Sequence, residues 1–246
     1  MKRKQALLLY LAGTLGQILL VSLLVWLLRA GGVRVDYGTP IGLFTLMLGG
    51  LSSAIWGAII SIRYYHSSFK QLVRDFFQVK QPLSNYLLVL IFLCLDFLPP
   101  ILSGGMLIQV WYLPIILFVK ALVFGGIEEI GWRYFFQPAL QEKLTYLVST
   151  LCTFVAWSLW HLLYFYIDGS LARIHLLPFL LGLLSNCFIL SAIYTKNRSL
   201  WLCVMTHALI NALSQLSSTE SVWLSLLIKV LIILLAMRIA SSSMEK

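Results

Sequence analysis

The chain has 246 residues, 60% of them hydrophobic, with a mean hydropathy of +0.91 and a formal net charge of +9. This excludes an ordinary soluble domain, in which about half of the residues are apolar. It also excludes nucleic acid as the reason for the basic charge, because the Lys and Arg residues sit between apolar runs and leave no soluble basic unit.

Repeated apolar runs of roughly 20 residues predict an all-α, polytopic membrane helical bundle of about eight transmembrane helices. The expected spans lie near 6–28, 41–62, 85–103, 107–128, 144–166, 174–195, 199–216 and 221–240. The first run is too long for a signal-peptide core and reads as an uncleaved anchor. The second carries Gly50, Ala54 and Ala58 at four-residue spacing, with Ser53 and Gly57 beside them, a pattern that lets helices approach closely. Between the second and third runs, Ser67–Lys80 places Phe69, Leu72, Val73, Phe76 and Phe77 at helical spacing among Lys70, Arg74 and Lys80. That suits a short helix in the interface or one packed on the bundle. Pro99-Pro100 and Gly104-Gly105 close the third run. The fourth is expected to continue as a helix past the membrane core to Pro138. Cys94, Cys152, Cys187 and Cys203 fall inside spans without paired spacing and read as buried small residues. Ser241–Ser243 reads as a frayed tail. No loop is long enough for a soluble module, so residues 1–246 are read as one integral membrane domain.

Lys2, Arg3, Lys4, Arg63, Lys70, Arg74, Lys80, Lys143, Lys196, Arg198, Arg238 and Lys246 fall on one side of these spans, against Arg29, Arg34 and Arg173 on the other. By the positive-inside rule both termini are cytoplasmic, in a multi-pass protein of the cell membrane. The net charge then reports topology and contact with the lipid bilayer.

Nine Asp and Glu occur in the whole chain, and two stand side by side as Glu128-Glu129 in an apolar run. Charges in hydrocarbon are costly unless paired or facing an aqueous cavity, which makes them functional candidates. On a helix, Glu129 and Arg133 lie about 40° apart and can pair, while Glu128 points about 100° away. His161 and His207 fall in the fifth and seventh spans, and Asn211 shares a helix face with His207. His66 and His175 fall at span edges. Lys120, Lys229 and Asp96 are further charges within spans, and Asp96 is an available partner for either lysine. In depth, His207 lies about 14 Å along its helix from Arg198, whereas His161 lies about 27 Å from Lys143. A helix starting later, after a turn through Thr145–Ser149, would lower His161.

These residues form a constellation for peptide hydrolysis. Glu128 and His161 can polarise a water as general base and then general acid. His207 and Asn211 can stabilise an oxyanion. The same Glu128, His161 and His207 are an alternative zinc set with an open water position, although no HExxH occurs. Other readings of the buried charges are a transporter relay, which would call for broken-helix pairs or inverted repeats that the sequence does not show, and a non-catalytic scaffold or bacteriocin-immunity protein.

The pattern resembles the CAAX prenyl protease and bacteriocin-processing family, also called CPBP or Abi. Its EExxxR matches Glu128, Glu129 and Arg133, and its HxxxN matches His207 and Asn211. Its FxxxH is matched at His161, with Trp157 in place of Phe. The resemblance covers about 115–215. It implies a glutamate-dependent intramembrane endopeptidase acting on a membrane-associated peptide or lipidated protein, with a catalytic cavity opening to the cytoplasmic side. It assigns Glu128, His161, His207 and Asn211 to catalysis, Glu129 and Arg133 to support, and Trp157 to the substrate pocket. It leaves zinc open. Short loops suggest a bacterial source, for which a pheromone or bacteriocin peptide is the expected substrate.

Overall fold

In the computed structural model, residues 1–108, 110–218 and 222–244 are described, the last of these without its side chain. Lys246, counted above on the cytoplasmic side, lies outside them. All the long elements are helices: α1 (Arg3–Ala30), α2 (Pro40–Gly50), α3 (Ser52–Tyr65), α4 (Phe69–Phe76), α5 (Leu83–Asp96), α6 (Leu98–Leu102), α7 (Leu113–Phe124), α8 (Glu129–Gly131), α9 (Gln137–Gln141), α10 (Tyr146–Asp168), α11 (Leu176–Asn197), α12 (Leu200–Ser214) and α13 (Val222–Met244). Backbone groups within hydrocarbon must be satisfied internally, which is why a lipid-embedded chain of this composition folds as helices.

Every expected span falls on a helix, but they differ in length. Five helical segments are long and apolar enough to cross a membrane: Arg3–Ala30, Pro40–Tyr65, Tyr146–Asp168, Leu176–Asn197 and Val222–Ser243. The third, fourth and seventh spans fall on α5, α7 and α12, of 14, 12 and 15 residues. At 1.5 Å per residue these reach about 18 to 23 Å, short of a hydrocarbon core of roughly 30 Å. Hydropathy alone misses this because the apolar run continues through the turn that ends each helix. The tail at Ser241–Ser243 is helical rather than frayed, its hydroxyls bonded to carbonyls of the preceding turn.

Small residues set the closest packing. A side chain at Gly57 of α3 would strike the backbone of Gly131, and one at Gly131 would strike the carbonyl of Ser53. The stripe of small residues on the second span is therefore the surface that receives the glutamate-bearing segment. Ala54 beside it packs with Ile130, Leu200 and Val204. Arg29 at the end of α1 donates to the carbonyls of Val35, Tyr166 and Ile167, tying the α1 and α10 ends together.

α4 rests on the bundle through the buried Leu72 and through Asp75, which accepts from Tyr134 at 2.9 Å, while Phe69 and Phe77 stay exposed. Cys187 and Cys203 are buried, but Cys94 and Cys152 are exposed, a departure from the expectation that all four are interior. Hydropathy cannot separate lipid-facing from core-facing positions. Asp96 faces Lys229 at 3.7 Å across α5 and α13, and Ser185 of α11 lies 3.4 Å from Lys229 Nζ.

Candidate active site

The segment from Phe124 to Pro138 is not the continuous helix expected. α7 stops at Phe124, a 3-10 turn spans Gly126–Glu128, one α-turn follows, and Trp132–Phe136 widens into a π-turn before α9. Wide turns of this kind recur at functional sites. Close approach explains the break. A side chain at Gly125 would strike Asn211 Nδ2 and come within 3.3 Å of His207 Nε2, and one at Gly126 would meet Val204 at 2.9 Å. The two glycines let this segment lie against α12.

Glu129 is fully buried, and its Oε1 accepts from His207 Nδ1 at 2.8 Å. Arg133 Nη1 lies 3.4 Å from the same oxygen. The expected i,i+4 pair is present, but the shorter bond goes to a histidine on another helix, which spacing along one chain segment gives no means of finding. The bond commits His207 Nδ1 and turns Nε2 towards Gly125 and Asn211.

Glu128 is also buried, with Oε2 accepting from Trp157 Nε1 at 2.8 Å. No hydrogen bond joins Glu128 to His161 among the described residues. His161 Nδ1 lies 2.9 Å from the Trp157 carbonyl. Because a carbonyl only accepts, Nδ1 carries the proton there and Nε2 keeps its lone pair. Trp157 thus touches both Glu128 and His161. Its ring also lies 4.3 Å from the Arg133 guanidinium carbon and 5.1 and 5.3 Å from the rings of His161 and His207. The expectation of Trp157 as a pocket wall captures only part of this.

The depth of His161 is explained by where α10 starts. The helix begins at Tyr146, capped by the Thr145 hydroxyl, and Ser149 already lies within it. Tyr146 donates to the carbonyl of Phe188, nine residues before α11 ends. Cys187 Sγ of α11 meets the carbonyl of Thr150 at 3.5 Å, which levels the two antiparallel helices there and sets the start of α10 about 9 Å inside the level at which α11 finishes. Distance from Lys143 overstates the height, and His161 and His207 line one cavity.

That cavity, about 280 Å3, is lined by His161, His207 and Asn211 with Trp157, Phe179 and Asn186 among others. Asn211 and Ser214 also line a neighbouring cavity of about 600 Å3, which reaches Tyr37, Lys120, Asp168 and Gln215. Lys120 Nζ there lies 4.8 Å from the Tyr37 ring centroid. Glu128 lines a separate, narrow cavity with Met47, Phe124, Trp160 and Tyr164. Tyr37 precedes α2, Asp168 ends α10 and Gln215 follows α12, so the larger cavity reaches the helix ends that the charge pattern places opposite the termini. Charge bias sorts loops between two sides, but where helices diverge to leave a cavity is a matter of packing.

The expected zinc set is Glu128, His161 and His207; no group of three or more His, Cys, Asp or Glu side chains placed to hold a metal ion is found among the described residues.

No curated protein matches the chain. Residues 109–213, the segment that carries all three motifs, match the family model described as type II CAAX prenyl endopeptidase Rce1-like, which agrees with the CAAX protease resemblance of those motifs.

Proposed function

We propose that this multi-pass membrane protein is an endopeptidase that cuts a membrane-associated or lipidated peptide, with Glu128 as general base. The observation that carries the reading is the 2.8 Å bond between Glu129 and His207, which joins the first and third motifs into one buried cluster beside a cavity. The matched family is one of CAAX endopeptidases.

The reading gives each residue a step. A water between Glu128 and His161 gives one proton to a Glu128 oxygen and hydrogen-bonds through the other to His161 Nε2. Its oxygen forms a bond to the scissile carbonyl carbon, and the carbonyl π pair moves onto oxygen. His207 Nε2–H and Asn211 Nδ2–H donate to that oxyanion. In this role His207 carries a proton on both nitrogens, and the Glu129 carboxylate balances its charge. Collapse breaks the C–N bond, and the leaving amine takes the proton back from Glu128. Arg133 supports Glu129. No step passes through a metal.

The substrate is read as a peptide anchored in or beside the bilayer, and the source as a bacterial cell membrane with both termini cytoplasmic. With the termini so placed, the cavity mouth faces away from the cytoplasm. The test is cleavage by purified protein in phospholipid vesicles, using quenched fluorescent peptides with and without a farnesylated cysteine near the C-terminus. Wild type is expected to cut and Glu128→Ala and His207→Ala to fail. Equal cleavage by all three would remove these residues from catalysis and favour the scaffold or immunity reading.

A further inference from the structure

Trp157 stands where the family pattern has Phe, and the two side chains differ in bulk and in one donor. Phe supplies a single ring; Trp supplies a fused pair of rings and an N–H. That N–H is bonded at 2.8 Å to Oε2 of Glu128, the proposed base. Among the described residues no other donor reaches the Glu128 carboxylate, so Oε1 keeps its lone pairs.

The indole is itself fixed. It is 1% exposed. The Arg133 guanidinium carbon lies 4.3 Å from its ring centroid, the imidazole of His207 stands at 84° to it, and Trp132 packs at a centroid distance of 6.5 Å. A cation on a buried aromatic face is a favourable contact. A ring held on these sides presents its N–H in one direction.

A glutamate gains most from such a restraint. The terminal torsion of its side chain is broad and roughly two-fold, so its two oxygens exchange places readily. A base that samples several orientations spends part of its time unable to take the water's proton, and orientation is a large part of catalytic rate.

We propose that Trp157 is a positioning residue: its indole N–H holds Oε2 of Glu128 and so presents Oε1 to the water. The proposal rests on Glu128 being the general base. Substrate is not touched by the N–H, so its loss acts on turnover and leaves affinity alone. Trp157→Phe keeps an aromatic ring and the residue type of the family pattern, and removes the donor together with the bulk of the second ring.

The experiment has two arms. In vesicles, with the farnesylated quenched peptide as probe, Trp157→Phe is expected to lower kcat about tenfold with KM within about twofold of wild type. An unchanged kcat, or a loss carried by KM alone, overturns the proposal. If Glu128→Ala cleaves like wild type, the base assignment itself fails. If Glu128→Ala is inactive while Trp157→Phe keeps full kcat, only the positioning role fails. The second arm needs no substrate. In 15N-tryptophan-labelled protein with its eight tryptophans, the indole N–H resonance that vanishes in Trp157→Phe is expected to move upfield in Glu128→Ala, as a carboxylate acceptor is lost. Should Trp157→Phe fold poorly, wild type against Glu128→Ala carries this arm. No indole resonance moving between them overturns the proposal.

Discussion

Two clusters of charge lie in this bundle, one partly and one fully buried, and their pairing differs. Asp96 and Lys229 meet one to one at 3.7 Å, with Ser185 completing the contact. Around Gly125 there are two carboxylates, one guanidinium and a histidine. Glu129 takes both the arginine and the histidine contacts, and Glu128 is left with an indole donor and a small opening onto a cavity. The first pair is matched one to one, as a structural pair in a membrane is expected to be. In the second, the carboxylate that neither Arg133 nor His207 touches is the one assigned to chemistry. Pairing and an adjoining cavity separate the candidate site from the scaffold.

The contrast is broken most directly by activity. Glu128→Gln is expected to lower cleavage by about 10³-fold or more, while Asp96→Asn with Lys229→Met leaves it within about twofold; loss of activity in the double variant would erase the distinction. Next, Asn211→Ala is expected to reduce kcat by about 10²-fold, the usual effect of one lost oxyanion donor, with melting of the protein unchanged.

Stability sharpens the same comparison. Removing Arg133 alone leaves Glu129 buried with one partner fewer, and Arg133→Ala is expected to cost about 3–5 kcal/mol in a reversible unfolding measurement. Asp96→Asn destabilises too, yet adding Lys229→Met should restore most of the loss, because deleting both members of a buried pair is often neutral. A double variant as unstable as the single one would show that the pair does more than neutralise itself.

The smallest effect is expected outside the membrane, where charges are solvated. Arg34 at 2.5 Å and the Gly38 N–H at 2.9 Å hold the Asp36 carboxyl below its usual range. With the folded value lowered, its contribution is present above about pH 4 and is lost as pH falls through the folded value. Asp36→Asn should therefore lower the melting temperature slightly at pH 7, converge with wild type on acidification, and leave cleavage unchanged.

Much of this was legible in the sequence, and the rest was not for identifiable reasons. Apolar runs locate the helices because hydrocarbon tolerates little else. Glu128 and Glu129 stand out because so few acidic residues are present at all. The i,i+4 spacing finds the Arg133 contact, since both residues lie on one segment. It cannot find the His207–Glu129 bond, whose partners are 78 residues apart. Nor does it find the role of the Trp157 indole, which depends on the roll of α10 against the broken end of α7.

Composition, apolar spacing and three short motifs determined that this chain is a helical membrane protein whose family match lies on the segment 109–213. They did so because hydrophobicity and motif identity are properties of the chain read in order. Tertiary structure decided which carboxylate is paired, where α10 begins in depth, and at which end of the bundle the cavities lie. Those follow from how helices cross and how closely glycine lets them approach, and packing between distant segments leaves no local trace in sequence.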